Sequence, residues 1–501
     1  MRNAPPAGDA RSARPHPDAP LSRPEKIPVL YREPLEILLL GLLVVLGLTL
    51  NHSSVILGLN LSLADPIVAA LTIVLLVARR MWIPAAPLIF FLLLSVQLLA
   101  VTILLFPGWT ARDLPIAATI EEYAKLVASF LCLLVGVQVV RLGLATVLLR
   151  TFVVGSVAVS SIAVASIAIP GLQSLDALFL GGFRFQGLTN DPNNFAVMTI
   201  AAIAILWFDP GIRPHLRVAA SAILISGVLL SASKTGAITL VLLVIWRAFG
   251  IRTPHVDDAG SRSRRLLAAV SALALAVVVL FIAPSTGVGG TFAELTSRVP
   301  ALDRTSTLLT SFDTAIAGGG SDREAAWTTA LALIWFTPAL GVGVGNYLAM
   351  AQELTGTELL AHNTYLQILA EWGVPLALVF FLWVARAALL RPAGATHHAL
   401  WAASSTALLV MLTGSIGLSL NNSRLLWVLL GMTVATHLLS RAERRTGSDV
   451  RDDASPTPPP LSPAEPGSRA SSGSHRRPDP ATIWPRVATY RRPPPTISRT
   501  P

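Results

Sequence analysis

The chain has 501 residues, of which 53% are hydrophobic and only 13% are charged. A water-soluble domain does not tolerate such a surface, so the composition excludes soluble classes and indicates an integral membrane protein. The net charge of +10 does not indicate a nucleic-acid partner, because the arginines concentrate in the tails and in alternate short loops between apolar runs. The single cysteine, Cys132, lies within an apolar run, which leaves no disulfide framework and no cysteine-based metal site.

Both ends of the chain differ in composition from the middle. Residues 1–33 are rich in Pro, Ala, Arg and Asp without an apolar run, and residues 441–501 are rich in Pro, Ser and Arg. Neither segment can bury a hydrophobic core, so we predict a disordered cytoplasmic tail at each end, with basic residues that can contact anionic membrane lipid. Residues 34–440 then form one polytopic membrane domain without a detectable sequence repeat.

The membrane domain contains apolar runs for about twelve transmembrane helices, which gives an all-α fold. Every second loop is rich in arginine, as the positive-inside rule requires when both termini are cytoplasmic. One extracytoplasmic loop, 285–361, is much longer than the others, and its segment 325–340 is predicted to be a packed or re-entrant short helix. The apolar runs lie near residues 35–50, 63–78, 84–106, 115–140, 144–170, 193–209, 214–231, 235–250, 264–284, 363–390, 397–417 and 424–440.

Three alternating glycines, Gly341, Gly343 and Gly345, follow the predicted loop helix. They do not form a nucleotide-binding loop, because no GK[ST] follows, the spacing is not GxGxxG and no soluble βαβ unit surrounds them. We predict that they end the loop helix and allow close approach of backbone segments.

His362 immediately precedes the helix predicted over 363–390, on the outer side of the membrane. The positive end of a helix dipole disfavours the protonated imidazole and leaves a neutral ring nitrogen that can accept a proton. His362 is therefore a candidate general base that activates a hydroxyl. The alternative is an interfacial residue with an apolar body and a polar tip.

A few cations on the outer side oppose the general charge bias, and three of them lie near membrane level next to apolar runs: Arg184, Lys234 and Arg323. Guanidinium groups suit phosphate oxygens, so the three form a candidate anion site together with His362. Taken singly, each also fits a lipid head-group contact or a local ion pair. The sequence has no paired carboxylates spaced to hold a divalent metal over a diphosphate, and we expect neither a metal nor a cofactor.

Glu121, Glu122 and Lys125 lie near the outer end of the fourth predicted span. Glu121 and Lys125 have the spacing of a helical ion pair. Charges within a membrane are functional candidates, whereas a span that begins after Lys125 would leave all three solvated.

Several spaced motifs resemble those of the O-antigen ligase and polymerase superfamily of bacterial membrane glycosyltransferases. His362, Asn363 and Gly373, in HNTYLQILAEWG, resemble its His-[Asn/Ser/Gln]-x9-Gly signature. The segment 338–346 is similar to its Pro-x-x-Gly-x-Gly element, Arg323 with Trp327 to Arg-x-x-x-Trp, and 184–196 to Arg-x-x-Gly followed by Pro-Asn-x-Phe-Ala. The resemblance covers roughly 180–390, in the order of the family.

Two positions depart from the family pattern. Lys234 ends the sequence Ser-Ala-Ser-Lys, where the family commonly has Ser-x-Ser-Arg. The positive charge is kept, but the guanidinium group that can form two parallel hydrogen bonds is lost. Val-Pro-Leu follows Gly373, where a second glycine is often found. The first departure concerns the role of Lys234, and the second does not affect His362.

The resemblance implies transfer of a glycan from an undecaprenyl-diphosphate-type lipid to an acceptor hydroxyl, on the outer face of the bacterial cytoplasmic membrane. The protein would be a polymerase or a ligase of cell-surface polysaccharide, with the lipid-linked donor and a glycan or lipid acceptor as partners. A flippase or a chain-length regulator is a further candidate partner. The alternative from another class is a small-solute transporter, which predicts sites near mid-membrane and an internal repeat.

In this interpretation the site residues have distinct roles. His362 is the general base, and Arg184, Arg323 and Lys234 bind the donor diphosphate. Asn363, Glu121 and Lys125 support the site. The anomeric configuration of the donor sugar inverts without a metal.

Overall fold

The computed structural model describes residues 34–52, 62–110, 116–248, 320–392 and 397–452. Most of both predicted tails, the predicted span 264–284 and the outer-loop residues 285–319 lie outside the described residues.

The described part of the chain is almost entirely helical, apart from a small antiparallel strand pair within residues 179–185. In this pair Leu180 of β1 lies opposite Arg184 of β2. The elements are α1 Pro34–Thr49, α2 Ala64–Val77, α3 Ala85–Ala100, α4 Ile116–Arg141, α5 Ala145–Ala168, β1 Phe179–Leu180, β2 Arg184–Phe185, α6 Pro192–Phe208, α7 Pro214–Leu230, α8 Lys234–Ala248, α9 Gly320–Phe336, α10 Tyr347–Thr355, α11 Thr364–Trp372, α12 Val374–Leu389, α13 His398–Gly414 and α14 Arg424–Asp452.

Four helical segments in the described part are long and apolar enough to cross a membrane. They are Ala85–Gly108, Ile116–Arg141, Ala145–Ala168 and Arg424–Glu443, the first of which continues α3 through a π-helical turn. Six further apolar helices have 10 to 17 residues: α1, α2, α6, α7, α12 and α13. This composition fits an all-α membrane protein, whereas the number of twelve spans stays a prediction.

The helix core is built around the pair α4 and α14, which lie in close contact. A Cβ atom placed at Gly136 of α4 would overlap with the carbonyl oxygen of Val428, and one placed at Gly431 of α14 would overlap with that of Leu133. Small residues at such positions let two helix backbones approach each other inside a membrane. The same core extends through α13 to α6 and α7.

The prediction of a single helix over 363–390 is wrong, because α11 ends at Trp372 and α12 begins at Val374. Gly373 separates them with φ +76° and ψ 157°, a conformation that an L side chain rarely adopts. Pro375 follows in the first turn of α12, where its missing N–H is tolerated. Hydrophobicity is continuous across this break, so the apolar pattern alone does not reveal it.

Two other boundaries also differ from the predictions. The loop helix α9 begins at Gly320 and ends at Phe336, earlier than the predicted 325–340. Helix α14 continues to Asp452, past Arg441, where the C-terminal tail is predicted to begin.

The glycine-rich turn after α9 packs directly against α11. Val342 N–H donates to the carbonyl oxygen of Ala370 at 2.8 Å, and Gly343 N–H to that of Glu371 at 3.2 Å. Gly341 has φ +69°, and a Cβ atom there would overlap with the carbonyl oxygen of Glu371. The prediction that these glycines permit close backbone approach is therefore confirmed, whereas α9 already ends at Phe336, before the first of them.

Candidate active site

A cavity of about 580 Å³ lies among α4, α10, α11 and the loop before α14. This volume is in the usual range for a ligand site. His362 and Lys125 line it, together with polar residues from several separate parts of the chain. The full set of lining residues with polar or charged side chains is His52, Ser62, Glu122, Lys125, Asn190, Asp191, Asn194, Tyr347, Glu358, His362, Gln367, Glu371, Ser419, Asn421, Asn422, Ser423 and Arg424.

His362 is exposed at this cavity, directly before α11. The N-cap of α11 is Asn363, whose Oδ1 accepts hydrogen bonds from the N–H groups of Tyr365 at 2.9 Å and Leu366 at 3.1 Å. This cap fixes the start of the helix and with it the backbone that carries His362. His362 has φ +45°, in the left-handed region that few non-glycine residues adopt. Such conformations concentrate at active sites, where the surrounding structure holds them.

The loop between α13 and α14 holds the His362 segment in place. Thr364 N–H donates to the carbonyl oxygens of Ser415 at 2.9 Å and Leu418 at 3.0 Å. Its hydroxyl donates to Leu418 at 2.7 Å and accepts from Leu420 N–H at 2.7 Å. The segment 415–420 is thereby fastened to the start of α11.

Arg184 and the start of α8 meet at Asn193, in the first turn of α6. Asn193 Oδ1 accepts a hydrogen bond from Arg184 Nη2 at 3.4 Å and one from the Ser233 hydroxyl at 2.8 Å. Ser233 immediately precedes Lys234, the first residue of α8, and its neighbour Ala232 has φ +51°. The structure therefore brings Arg184 and Ser233, the residue before Lys234, to the same Asn193 amide.

Arg323 approaches the same region from the first turn of α9. A Cβ atom at Gly417 would lie 3.2 Å from Thr235 Oγ1 and 4.0 Å from Arg323 Nη1. Because Gly417 belongs to the segment that is bonded to Thr364, Arg323 and the residue after Lys234 lie close to the His362 segment. None of the three cations lines the cavity itself; they lie beside it.

The predicted ion pair of Glu121 and Lys125 is present, with Nζ and Oε1 2.7 Å apart. Lys125 also contacts Glu122 Oε1 at 2.6 Å, and its side chain is only 9% exposed. Helix α4 begins at Ile116, so these residues lie inside the helix and not before it. Lys125 is thus a buried cation at the cavity wall whose charge is balanced by two carboxylates.

Sequence reasoning missed Gln367 and Glu371, which lie one turn apart on α11. Gln367 Nε2 donates to Glu371 Oε1 at 2.9 Å, and both residues line the cavity. Helix α11 has nine residues and is too short to span a membrane. Burial and the nearby Glu122 carboxylate raise the pKa of Glu371 to about 8, although the Gln367 amide acts in the opposite direction. A carboxyl group within an apolar run was the signal that could have identified it.

A buried ion pair between Arg424 and Asp65 was also missed. The guanidinium Nε and Nη2 of Arg424 donate to the two carboxylate oxygens of Asp65 at 2.6 and 2.7 Å. The pair joins the N-termini of α14 and α2, residues that are 359 positions apart in sequence. Its arginine lines the cavity, where the bond to Asp65 already neutralises its charge.

The described residues contain no group of three or more His, Cys, Asp or Glu side chains that could hold a metal ion. The polar wall of the cavity consists of imidazole, carboxyl, amide and hydroxyl groups, with Lys125 and Arg424 as its cations. These groups can accept a proton and form hydrogen bonds with a polyhydroxylated ligand.

Residues 219–381 match the O-antigen ligase family, named Wzy_C. The matched segment runs from α7 into α12 and contains Lys234, Arg323, His362 and Glu371, whereas Arg184 precedes it. No curated protein and no solved structure matches the chain significantly. The family match over this segment, together with the apolar helices, supports a relationship to the O-antigen ligase and polymerase superfamily of membrane proteins.

Proposed function

We propose that the protein transfers a glycan from a polyprenyl-diphosphate lipid to an acceptor hydroxyl on the outer face of the bacterial cytoplasmic membrane. The observation that carries this proposal is the position of His362, which lies at a 580 Å³ cavity and whose neighbour Thr364 is bonded to the segment 415–420 near Arg323. No nucleotide is present outside the cell, so the free energy of transfer must come from the diphosphate linkage of the donor. The family match over 219–381 supports the general reaction.

His362 acts as the general base. A ring nitrogen takes the proton of the acceptor hydroxyl while the hydroxyl oxygen attacks the anomeric carbon of the donor sugar. The bond between that carbon and the diphosphate oxygen breaks, and its electron pair leaves with the diphosphate. The proton on His362 then passes to solvent or to the released diphosphate. General-base catalysis of this kind contributes roughly 10²–10⁴-fold to the rate.

Arg184, Arg323 and Lys234 bind the donor diphosphate and stabilise the charge that develops on the leaving group. Their connection through Asn193 and Gly417 supports a shared site beside the cavity. Preorganised cations are most effective where charge appears in the transition state. Attack opposite to the diphosphate inverts the anomeric centre, and the reaction needs no metal.

Polymerase and ligase share this chemistry and differ in the acceptor. A polymerase transfers a growing chain to the next lipid-linked repeat, whereas a ligase transfers a finished glycan to another molecule. Mass spectrometry of lipid-linked glycans from cells that lack the gene distinguishes the two. Single repeats on the lipid indicate a polymerase, and full-length glycan on the lipid indicates a ligase.

The same cells complemented with the wild-type gene or with His362→Ala test the catalytic role. We expect wild type to restore the normal pool of lipid-linked glycans and His362→Ala to leave the pool of the deletion strain. An unchanged pool in the deletion strain contradicts the proposed reaction. Full rescue by a well-expressed His362→Ala protein contradicts the role of His362.

A further inference from the structure

The wall of the cavity at His362 contains more carboxyl groups than cationic groups. Its wall contains the carboxyl groups of Glu122, Asp191, Glu358 and Glu371, against Lys125 and Arg424 as cations. Lys125 is bonded to two carboxylates and Arg424 to Asp65. Both cations of the wall are thus already engaged by carboxylates of the protein, and we assign the donor head group to the cations beside the cavity.

Two buried polar atoms of the wall have no hydrogen-bond partner within the described part of the chain. They are Gln367 Oε1 and the Tyr347 hydroxyl, on side chains that are 6% and 3% exposed. A buried polar atom without a partner is costly, so such atoms usually bind a ligand or water. Both residues line the same cavity as Glu371.

The group has the hydrogen-bonding capacity that a neutral sugar requires. Gln367 Oε1 accepts a hydrogen bond, the Tyr347 hydroxyl can donate or accept one, and the Glu371 carboxyl is held by the Gln367 amide at 2.9 Å. A wall of amide, phenol and carboxyl groups matches sugar hydroxyls and offers no fork for an anion.

We propose that Gln367, Glu371 and Tyr347 form the subsite that binds the acceptor sugar through its hydroxyl groups, next to His362. The inference rests on the proposed glycan transfer, because it assigns the two substrates of that reaction to two regions. The diphosphate of the donor lies at Arg184, Lys234 and Arg323. The acceptor sugar enters the carboxyl-lined cavity and presents one hydroxyl to His362.

The raised pKa of Glu371, which results mainly from burial, supports a carboxyl group that carries its proton near neutral pH and can donate it to a sugar hydroxyl. The charged and titratable groups that face it are Glu122 and Lys125 on α4 and Tyr347 on α10. Since glutamine imitates a protonated carboxyl group, Glu371→Gln preserves a donor and an acceptor, whereas Glu371→Ala removes both.

The test uses full-length protein in nanodiscs and one repeat oligosaccharide as the acceptor probe. The oligosaccharide is released by mild acid from the lipid-linked glycan of the deletion strain and labelled with tritium. Binding is measured by equilibrium dialysis in the His362→Ala background, which removes turnover from the measurement. We expect Glu371→Ala to weaken binding at least tenfold and Glu371→Gln to weaken it less than threefold at pH 6.5. Glu353→Gln, on the exposed side of α10 and outside the cavity, is the matched control and leaves binding unchanged.

Kinetics with intact His362 separate the two substrates. We expect Glu371→Ala to raise KM for the oligosaccharide at least tenfold and KM for the lipid-linked donor less than twofold. The assignment is overturned if the oligosaccharide binds equally to wild type and Glu371→Ala, or if only the donor KM rises. Failure of the proposed function looks different, because wild type would then show no glycan transfer at all.

Discussion

Substitution of Gly341 by alanine tests how the glycine-rich turn positions α11. Gly341 is buried with φ +69°, and the added methyl group would overlap with the Glu371 carbonyl oxygen. The left-handed backbone costs a non-glycine residue about 1–2 kcal/mol, and forced overpacking adds about 1–3 kcal/mol. We therefore expect Gly341→Ala to lower the free energy of unfolding by about 2–5 kcal/mol, as the sum of these two terms.

Gly356→Ala provides the matched control, because Gly356 ends α10 with φ +73° and has no atom within 4 Å of the position of an added Cβ. This variant carries only the backbone term of about 1–2 kcal/mol. Thermal unfolding in nanodiscs, followed by tryptophan fluorescence, compares the two variants with wild type. Equal destabilisation of both variants, or a neutral Gly341→Ala, would refute the close contact between the turn and α11.

Three further predictions concern single side chains. Arg424→Met leaves the largely buried Asp65 carboxylate without its counter-charge and should cost about 3–5 kcal/mol of stability, whereas adding Asp65→Leu should restore much of it; thermal unfolding of both variants measures this. Asn363→Ala removes the N-cap of α11, and we expect the free energy of unfolding to fall by about 1 kcal/mol and glycan transfer to slow. Asn363→Asp should retain the stability and the transfer rate, as thermal unfolding and a transfer assay measure. Because burial raises the pKa of Glu371 to about 8 from an ordinary 4.5, the unfolded state loses its proton first as pH rises. As pH rises from about 4.5 to about 8, wild type should therefore lose stability relative to Glu371→Gln. Unfolding temperatures of both proteins at pH 5 and pH 8.5 measure the difference.

The sequence predicted the helices well where hydrophobicity starts and stops sharply. The runs near 115–140 and 144–170 correspond to α4 and α5 within two residues at each end. It failed at Gly373, because an apolar pattern continues across a break that depends on one backbone conformation. Gly373 can adopt that conformation, and Ala339 lies so close that a Cβ at Gly373 would be 2.6 Å from its carbonyl oxygen.

The candidate site was predictable where one local motif carries it, as for His362 and Asn363. The connection of Arg184 to the start of α8 was not predictable in detail, because Asn193 makes it through tertiary contacts. Gln367 and Glu371 could be read as an ordinary polar pair on a helix. Only the fold brings Tyr347 and the Glu122 carboxylate of α4 to the same cavity and gives that pair a candidate role.

The most direct test of glycan transfer by His362 is an assay with purified protein in nanodiscs and lipid-linked glycan from the deletion strain. Wild type should extend or transfer the glycan, and His362→Ala should slow the initial rate by roughly 10²–10⁴-fold. His215→Ala is the matched control, since His215 is exposed in the first turn of α7 and lies outside the cavity, and it should retain the wild-type rate within a few fold. Equal rates for wild type and a folded His362→Ala protein would contradict the assignment of His362 as the general base.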